Sequence, residues 1–318
     1  SEDMIAILSG DETGSLYIYN YFWNNNQKVL SAWSKFTFTG EIRGIEFIES
    51  TLYVVMTNNS ETNLVSLPLE SGLKDTAGYT TYLDMRCYKT VAQGGTSITL
   101  PYIPANNSVE VYTTDGLKLG ATNSGATVTL TSPMATSPNL DVTSMVSGKE
   151  YTIVSVGTTD FTAIGATDNN VGTSFYAIGA GTGTGVVSEP NVWVGIPYNM
   201  KYTFSEQLFK AKAGNSTSPS NAAKLLIRNG SVYFDDTAYF KVKVTPKFRD
   251  TYENIFTPDV VGSTSIGTLH LDSGFYRFPV FTKAQDTLIS IENDSALPSN
   301  FQSAEFESFT HSRSSRYA

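Results

Sequence analysis

The chain has 318 residues, 40% of them apolar and 16% charged, with a formal net charge of −9. That length suits about two domains of roughly 150 residues each, long enough to bury a core, and the acidic balance argues against avid phosphate binding, which needs neutralising cations. The one cysteine, Cys87, excludes an intrachain disulfide, and no apolar run approaches the ~20 residues of a membrane-spanning helix.

Strand signals start at the N-terminus and keep coming. "MIAIL", "SLYIYNYFW", "VLSAWSKFTF", "IRGIEFI", "TLYVVMT" and "NLVSLPL" follow at short spacing, separated by the turn clusters "SGDETG", "NNNQ", "TGE", "ES" and "NNSET". Partial alternation of apolar and polar residues marks half-buried strands, and the absence of a helical period predicts antiparallel sheet. The spacing suits one to two blades of a propeller at roughly 40–45 residues per blade. A propeller closes only with about four to eight blades. Either the remaining blades lie upstream of Ser1 or this is an ordinary sheet, and the residues alone leave both open. The start, "SEDMIAILSG", has no basic n-region and no h-region, so no signal peptide is visible there. It does not begin with Met, which predicts a truncated or processed piece of something longer.

After "ESGLKDTAG" come further short strands, "SITLPYI", "SVEVYTT", "LKLGAT" and "ATVTLTS", then a loop at "SPMATSPNL". Residues 141–189 are Gly/Thr-rich with almost no charge and read as an inserted β module, its small core drawn from Phe161, Ile164, Phe175 and Ile178. "NVWVGIPYNMKYTF" resumes strand texture. "KLLIRNGSVYFDD" with "AYFKVKVTPKF", and "GFYRFPVF" with "TLISIEND", each read as a hairpin. The best helix candidate is "FSEQLFKAKA".

Candidate chemistry is sparse. "GAGTGTGVV" spaces glycines at 179, 181, 183 and 185, whereas a dinucleotide fingerprint needs G-x-G-x-x-G opening a helix and a P-loop needs Gly-Lys-Ser/Thr. Period-two glycine instead strips one face of an extended segment so that another backbone approaches closely or the segment flexes. His270 and His311 have no companions at metal-ligand spacing. Cys87 has strand-like neighbours and reads as a buried or half-buried thiol. Asp235 and Asp236 are adjacent on a strand, so they point to opposite faces and cannot flank one glycosidic bond. A turn or strand-end role fits them better. Arg313 and Arg316 do not make a nucleic-acid patch in so acidic a chain, and the sequons at Asn215 and Asn229 mean little without a secretory signal. These residues nominate no catalytic, cofactor or metal site.

The last hundred residues resemble the C-terminal part of podovirus tail nozzle proteins, also called tail tubular protein B. The resemblance rests on "LLIR", the "D-T-A-x-F" turn at 236–240, "RFPV" at 277–280, "I-x-N-D-S-x-L-P" at 291–298 and "SAEFE" at 303–307, with "VGIPY" at 194–198. "LYIYNYFWNNNQKVLSAWSKFTF" is similar to a blade of the family's propeller, with Trp33 as the recurring tryptophan. Together these cover most of residues 1–131 and 190–318. The module at 141–189 departs from that plan and is similar to a repeat-like module of marine phage structural proteins, which implies a cyanophage-like source.

The resemblance implies an all-β fold. Residues 1–75 would be propeller blades at the end of a propeller continued upstream. Residues 76–140 and 190–318 would form a discontinuous antiparallel β-sandwich-like domain that serves as platform and fibre dock, with 141–189 inserted into it. It also implies a non-enzymatic virion protein, six copies of which form a ring. That ring would be the DNA exit channel below portal and adaptor and would support a tail-fibre protein. Genomic DNA would pass without specific binding, and the host cell surface is a further implied partner. Two other classes compete. A receptor- or glycan-binding module would show a groove of exposed Tyr and Trp, and a cell-wall hydrolase would need the His, Cys or carboxylate constellation that is missing.

Overall fold

The computed structural model describes residues 3–24, 27–58, 61–69, 80–104, 108–114, 116–135, 139–213, 216–219, 223–258 and 269–312. It is all-β, and its only described helices are short 3₁₀ turns such as Val142–Ser144. No described helix is long and apolar enough to cross a membrane. The chain divides into two compact units. Ser1–Lys74, Met85–Val111 and Leu119–Ile196 make one, and Asp75–Asp84, Tyr112–Lys118 and Pro197–Ala318 make the other.

The first unit opens with two three-stranded antiparallel meanders. β1 (Asp3–Leu8), β2 (Ser15–Asn24) and β3 (Gln27–Thr37) form one, and β4 (Glu41–Ile48), β5 (Thr51–Asn58) and β6 (Glu61–Pro68) the other, each in sequence order. Alternation decides which side chains enter the core. β2 sends in Leu16 and Ile18, β5 sends in Leu52 and Val54, and with Ile42 they form one cluster joining the meanders. Each such side chain contributes about 1.5–3 kcal/mol by leaving water. The "ES" turn is a two-residue loop between Ile48 and Thr51, with Glu49 at φ 56.

Next come β7 (Asp84–Lys89), β8 (Ser97–Thr99), β9 (Glu110–Thr113), β10 (Lys118–Leu119), β11 (Ala121–Ser124) and β12 (Thr127–Leu130). The module follows as β13 (Asn139–Asp141), β14 (Glu150–Ser155), β15 (Ser174–Tyr176) and β16 (Val186–Ser188), in sheet order β13-β16-β14-β15. Its entry and exit strands pair, Asn139 opposite Ser188, so the segment leaves and rejoins the chain at one place. It has its own core of Val142, Tyr151, Ile153, Phe161, Phe175 and Val187. Phe161 and Phe175 are buried as expected and Ile164 packs against them. Ile178 is 70% exposed instead, because the alternation that buries Phe175 and Ala177 turns Tyr176 and Ile178 outward. β17 (Val192–Ile196) then returns to a second cluster, where Val192, Val194 and Ile196 meet Val91, Ile98, Val111 and Val128.

The second unit carries β18 (Met200–Thr203), β19 (Lys210–Ala213), β20 (Ser216–Pro219), β21 (Ala223–Thr237), β22 (Phe240–Pro246), β23 (Tyr252–Phe256), β24 (Asp272–Lys283), β25 (Thr287–Asn293) and β26 (Asn300–Ser312). Sheets β24-β21-β26 and β18-β25-β22-β23 share a core. Phe240 is fully buried there, with rings of Phe234, Phe256, Tyr276 and Phe301 within 5.7 Å of its own. The expected hairpins do not form. β21 pairs with β24 and β26, and β22 pairs with β23 and β25, so β21 and β22, like β24 and β25, lie in different sheets. The reason is local. Asp236 at φ 43 and the 3₁₀ turn Ala284–Asp286 swing the chain across the core where a tight turn would fold it back. The expected helix at 204–213 is also absent, and β19 takes its last four residues.

Candidate functional site

The glycine run is the first place to test. The Gly185 amide donates to the buried Thr159 hydroxyl at 2.9 Å, the Thr184 amide donates to Thr158 Oγ1 at 3.1 Å, and the Gly181 amide donates to the Val142 carbonyl at 3.0 Å. An anion cradle needs free N–H groups pointing at the ligand, and here they are consumed inside the module. Space explains the glycines instead. A Cβ on Gly185 would lie 2.7 Å from Thr159 Oγ1 and 2.8 Å from Phe161 Cζ, and one on Gly181 would collide with Val142. Side chains rather than another backbone therefore crowd 181 and 185, the Thr159 backbone nitrogen comes within 3.0 Å only at 183, and Gly179 stands in open space. The run feeds β16, which lies between β13 and β14 inside the module's sheet.

The titratable candidates stay apart. Among the described residues no group of three or more His, Cys, Asp or Glu is placed to hold a metal ion. His270 is half-buried, and the side chain of His311, like Arg313, Arg316 and Asn215, lies outside the described residues. Cys87 is half-buried; burial pushes its thiol pKa up, Lys89 opposes this and Glu150 adds to it. A thiol held protonated is a poor nucleophile. Asp235 and Asp236 take the strand-end role. Ser273 Oγ donates to Asp235 Oδ1 and accepts the Asp236 amide at 3.0 Å where β21 bulges.

Residue reasoning missed one ionic centre. Glu292 on β25 is 2% exposed and stands opposite Lys201 on β18. Lys201 Nζ is 3.2 Å away and Lys243 Nζ 2.8 Å, and Lys243 continues to Glu253 at 3.2 Å. Burial alone would raise the Glu292 pKa, but the two lysines hold it below its ordinary value. The signal in the sequence was Lys241 and Lys243 alternating with core valines, facing a lone acid inside "ISIEN". The neighbouring "I-x-N-D-S-x-L-P" motif is a self-tied loop. Asn293 Oδ1 accepts from the Ser295 amide and hydroxyl, and Asn293 Nδ2 donates to the Leu297 carbonyl and Ser299 Oγ. Thr237, of the "D-T-A-x-F" turn, is fully buried and takes the Asn300 amide at 3.0 Å. These motifs build the sandwich corners and supply no reacting group.

Exposed aromatic residues collect on the outward side of β1–β3. Tyr19 has the Trp33 ring at 4.7 Å and the Tyr21 ring at 5.5 Å. On the sheet β24-β21-β26, Glu307 receives Arg277 at 2.6 Å and Arg228 at 3.3 Å, and Tyr233 donates to Glu305 at 3.2 Å. That charge is satisfied internally.

Comparison with known proteins supplies what the geometry does not. The model of a family described as bacteriophage nozzle protein matches residues 1–317. Tail tubular protein gp12 of Escherichia phage T7 is 22% identical over 94% of this chain. The chain spans 34% of that relative's length.

Proposed function

This chain belongs to the bacteriophage nozzle protein family, whose members are structural components of the virion tail rather than enzymes, and we propose that it is a subunit of a hexameric tail nozzle. In this reading six copies form the channel through which DNA leaves, below portal and adaptor, and the ring supports a tail-fibre protein. The adaptor, the fibre and the host cell surface are its partners, and genomic DNA passes without specific binding. The observation that carries it is the family match over nearly the whole chain.

The physical character of the chain agrees with that role. Interlocked antiparallel sheets suit a rigid building block, and a ring needs a heterologous interface whose rotation closes. Each copy carries −9, and acid near the bore would repel phosphate and keep the conduit from gripping its cargo. The meanders β1–β3 and β4–β6 are read as blades of a propeller. Residues 76–140 and 190–318 are read as platform and fibre dock, and 141–189 as an insert that shorter relatives lack.

A cryo-EM map of the assembled tail tests the reading. Six copies on the axis below the adaptor are expected. Density for this chain in the fibres, or a basic bore, would remove the channel assignment.

A further inference from the structure

The outward face of the sheet β24-β21-β26 is not flat. Asn229, Ser231 and Tyr233 alternate along its central strand, β21, and share that face. Ser231 stands between Arg277 on β24 and Glu305 on β26, Tyr233 is opposite Phe275, and Asn229 is opposite Glu307. The smallest side chain therefore lies at the centre, and larger ones rise around it. The result is an open cleft of about 340 Å³. That is at the small end of ligand clefts, which run from about 300 to 1,000 Å³ and combine apolar walls with a few placed polar groups.

Two properties of the cleft select the ligand chemistry. First, its charge balances. Glu307 is answered by Arg277 and Arg228 and also takes the Asn229 side-chain amide at 3.1 Å. Glu305 takes the Tyr233 hydroxyl, and no lysine or arginine pairs with it among the described residues. The two arginines and two glutamates sum to zero. An anion would meet Glu305 and a cation would meet the arginines, so neither is complementary to the site as a whole. Second, hydrogen-bonding groups flank an aromatic wall. The Phe275 ring is 64% exposed, and its centroid lies 5.9 Å from that of Tyr233. An aromatic ring has a negative face that attracts polarised C–H groups. Beside it, carboxylate, hydroxyl and amide groups offer both acceptors and donors. A neutral saccharide matches both halves, with C–H groups on one side of its ring and neighbouring hydroxyls around the edge. We propose that this cleft binds a neutral mono- or disaccharide. Phe275 and Tyr233 take its C–H side, and Glu305, Ser231 and Asn229 take its hydroxyls. The site lies within the second unit and goes beyond the nozzle reading, because it needs neither the ring nor the channel.

Saturation-transfer NMR tests it. The whole chain is mixed with a panel of neutral hexose and N-acetylhexosamine disaccharides, with sialylated and sulfated saccharides and an arginine-rich peptide as charged arms. Transfer to the ring C–H protons of at least one neutral disaccharide is expected. The affinity should be millimolar, because an open cleft leaves much of the ligand in water. Phe275→Ala should weaken that binding about tenfold, since the aromatic wall is removed. Ser231→Tyr fills the floor of the cleft with a residue that suits a strand and should abolish binding. Phe248→Ala, at an exposed ring outside the cleft, should change nothing. Circular dichroism melts report whether each variant is folded. Silence from every neutral saccharide overturns the inference. So does binding that survives Ser231→Tyr, which would put the site elsewhere. A preference for the sialylated, sulfated or peptide arm also overturns it, by assigning the cleft to a charged ligand.

Discussion

The Thr159 hydroxyl accepts the Gly185 amide at 2.9 Å and donates to the Thr182 carbonyl at 2.9 Å, tying the glycine run to the segment it folds over. The pair is buried, and neither partner has room for a larger neighbour.

Gly185→Ala should therefore destabilise the module. The added methyl meets Thr159 and Phe161 below van der Waals contact, and overpacking costs about 1–3 kcal/mol. Gly179→Ala meets nothing within 4 Å and should stay within about 0.5 kcal/mol of the parent. Urea titrations of the two variants check the contrast, and equal midpoints would remove the close-packing account.

Glu292→Gln should cost about 1.5–3 kcal/mol, because the charge-assisted hydrogen bonds from Lys201 and Lys243 are weakened. The cost stays in that range because Lys201 is well exposed and Lys243 keeps Glu253. The pH dependence has a definite sign. The Glu292 pKa is depressed in the folded state, so its contribution is present above the ordinary glutamate value of about 4.3 and is lost as pH falls through the folded value. Melting temperature against pH should show a steeper acid limb for the parent than for the variant.

Asp84 should act in the opposite direction. Burial pushes its pKa up to about 6, so folding is favoured while the carboxyl is protonated, and stability falls as pH rises from about 4 through 6. Asp84→Asn should recover about 1–2 kcal/mol at pH 8, the full shift being discounted because water reaches part of the group. Little gain is expected at pH 4. A gain independent of pH would rule out the desolvation account.

Removing residues 140–187 should leave the remaining sheets folded. The pairing of Asn139 with Ser188 lets a short linker close the gap. The module's further ion pairs, Lys89–Glu150 at 4.0 Å and Lys149–Glu189 at 3.8 Å, are weak. Limited proteolysis and circular dichroism report on the fold. Native mass spectrometry reports on ring assembly, and a lost ring would put the module in the interface.

Much of the local structure was legible. "FKVKV" alternates with the sheet period and the structure buries its alternate residues, while "TLYVVMT" is read as strand from its β-branched and aromatic run and buries Leu52, Val54 and Met56. Phe161 and Phe175 were visible as module core because large apolar residues are rare in that segment. The Asp235–Asp236 strand end followed from adjacency alone. Ile178 was misplaced because it lies an odd number of positions from Phe175 and so shares the outward face with Tyr176.

Composition and period-two patterning determined by themselves that the chain is all-β and acidic and that the glycine run departs from the phosphate-loop fingerprints. The quoted motifs pointed to its family. Tertiary structure alone decided that β21 and β22 part into different sheets, that Glu292 is buried between two lysines, and that β2 is apolar on both sides with one left open. The reason is range. Alternation is written residue by residue, whereas strand partnership is settled by which distant faces bury the most apolar surface together, and β21 meets β26 some seventy positions along the chain.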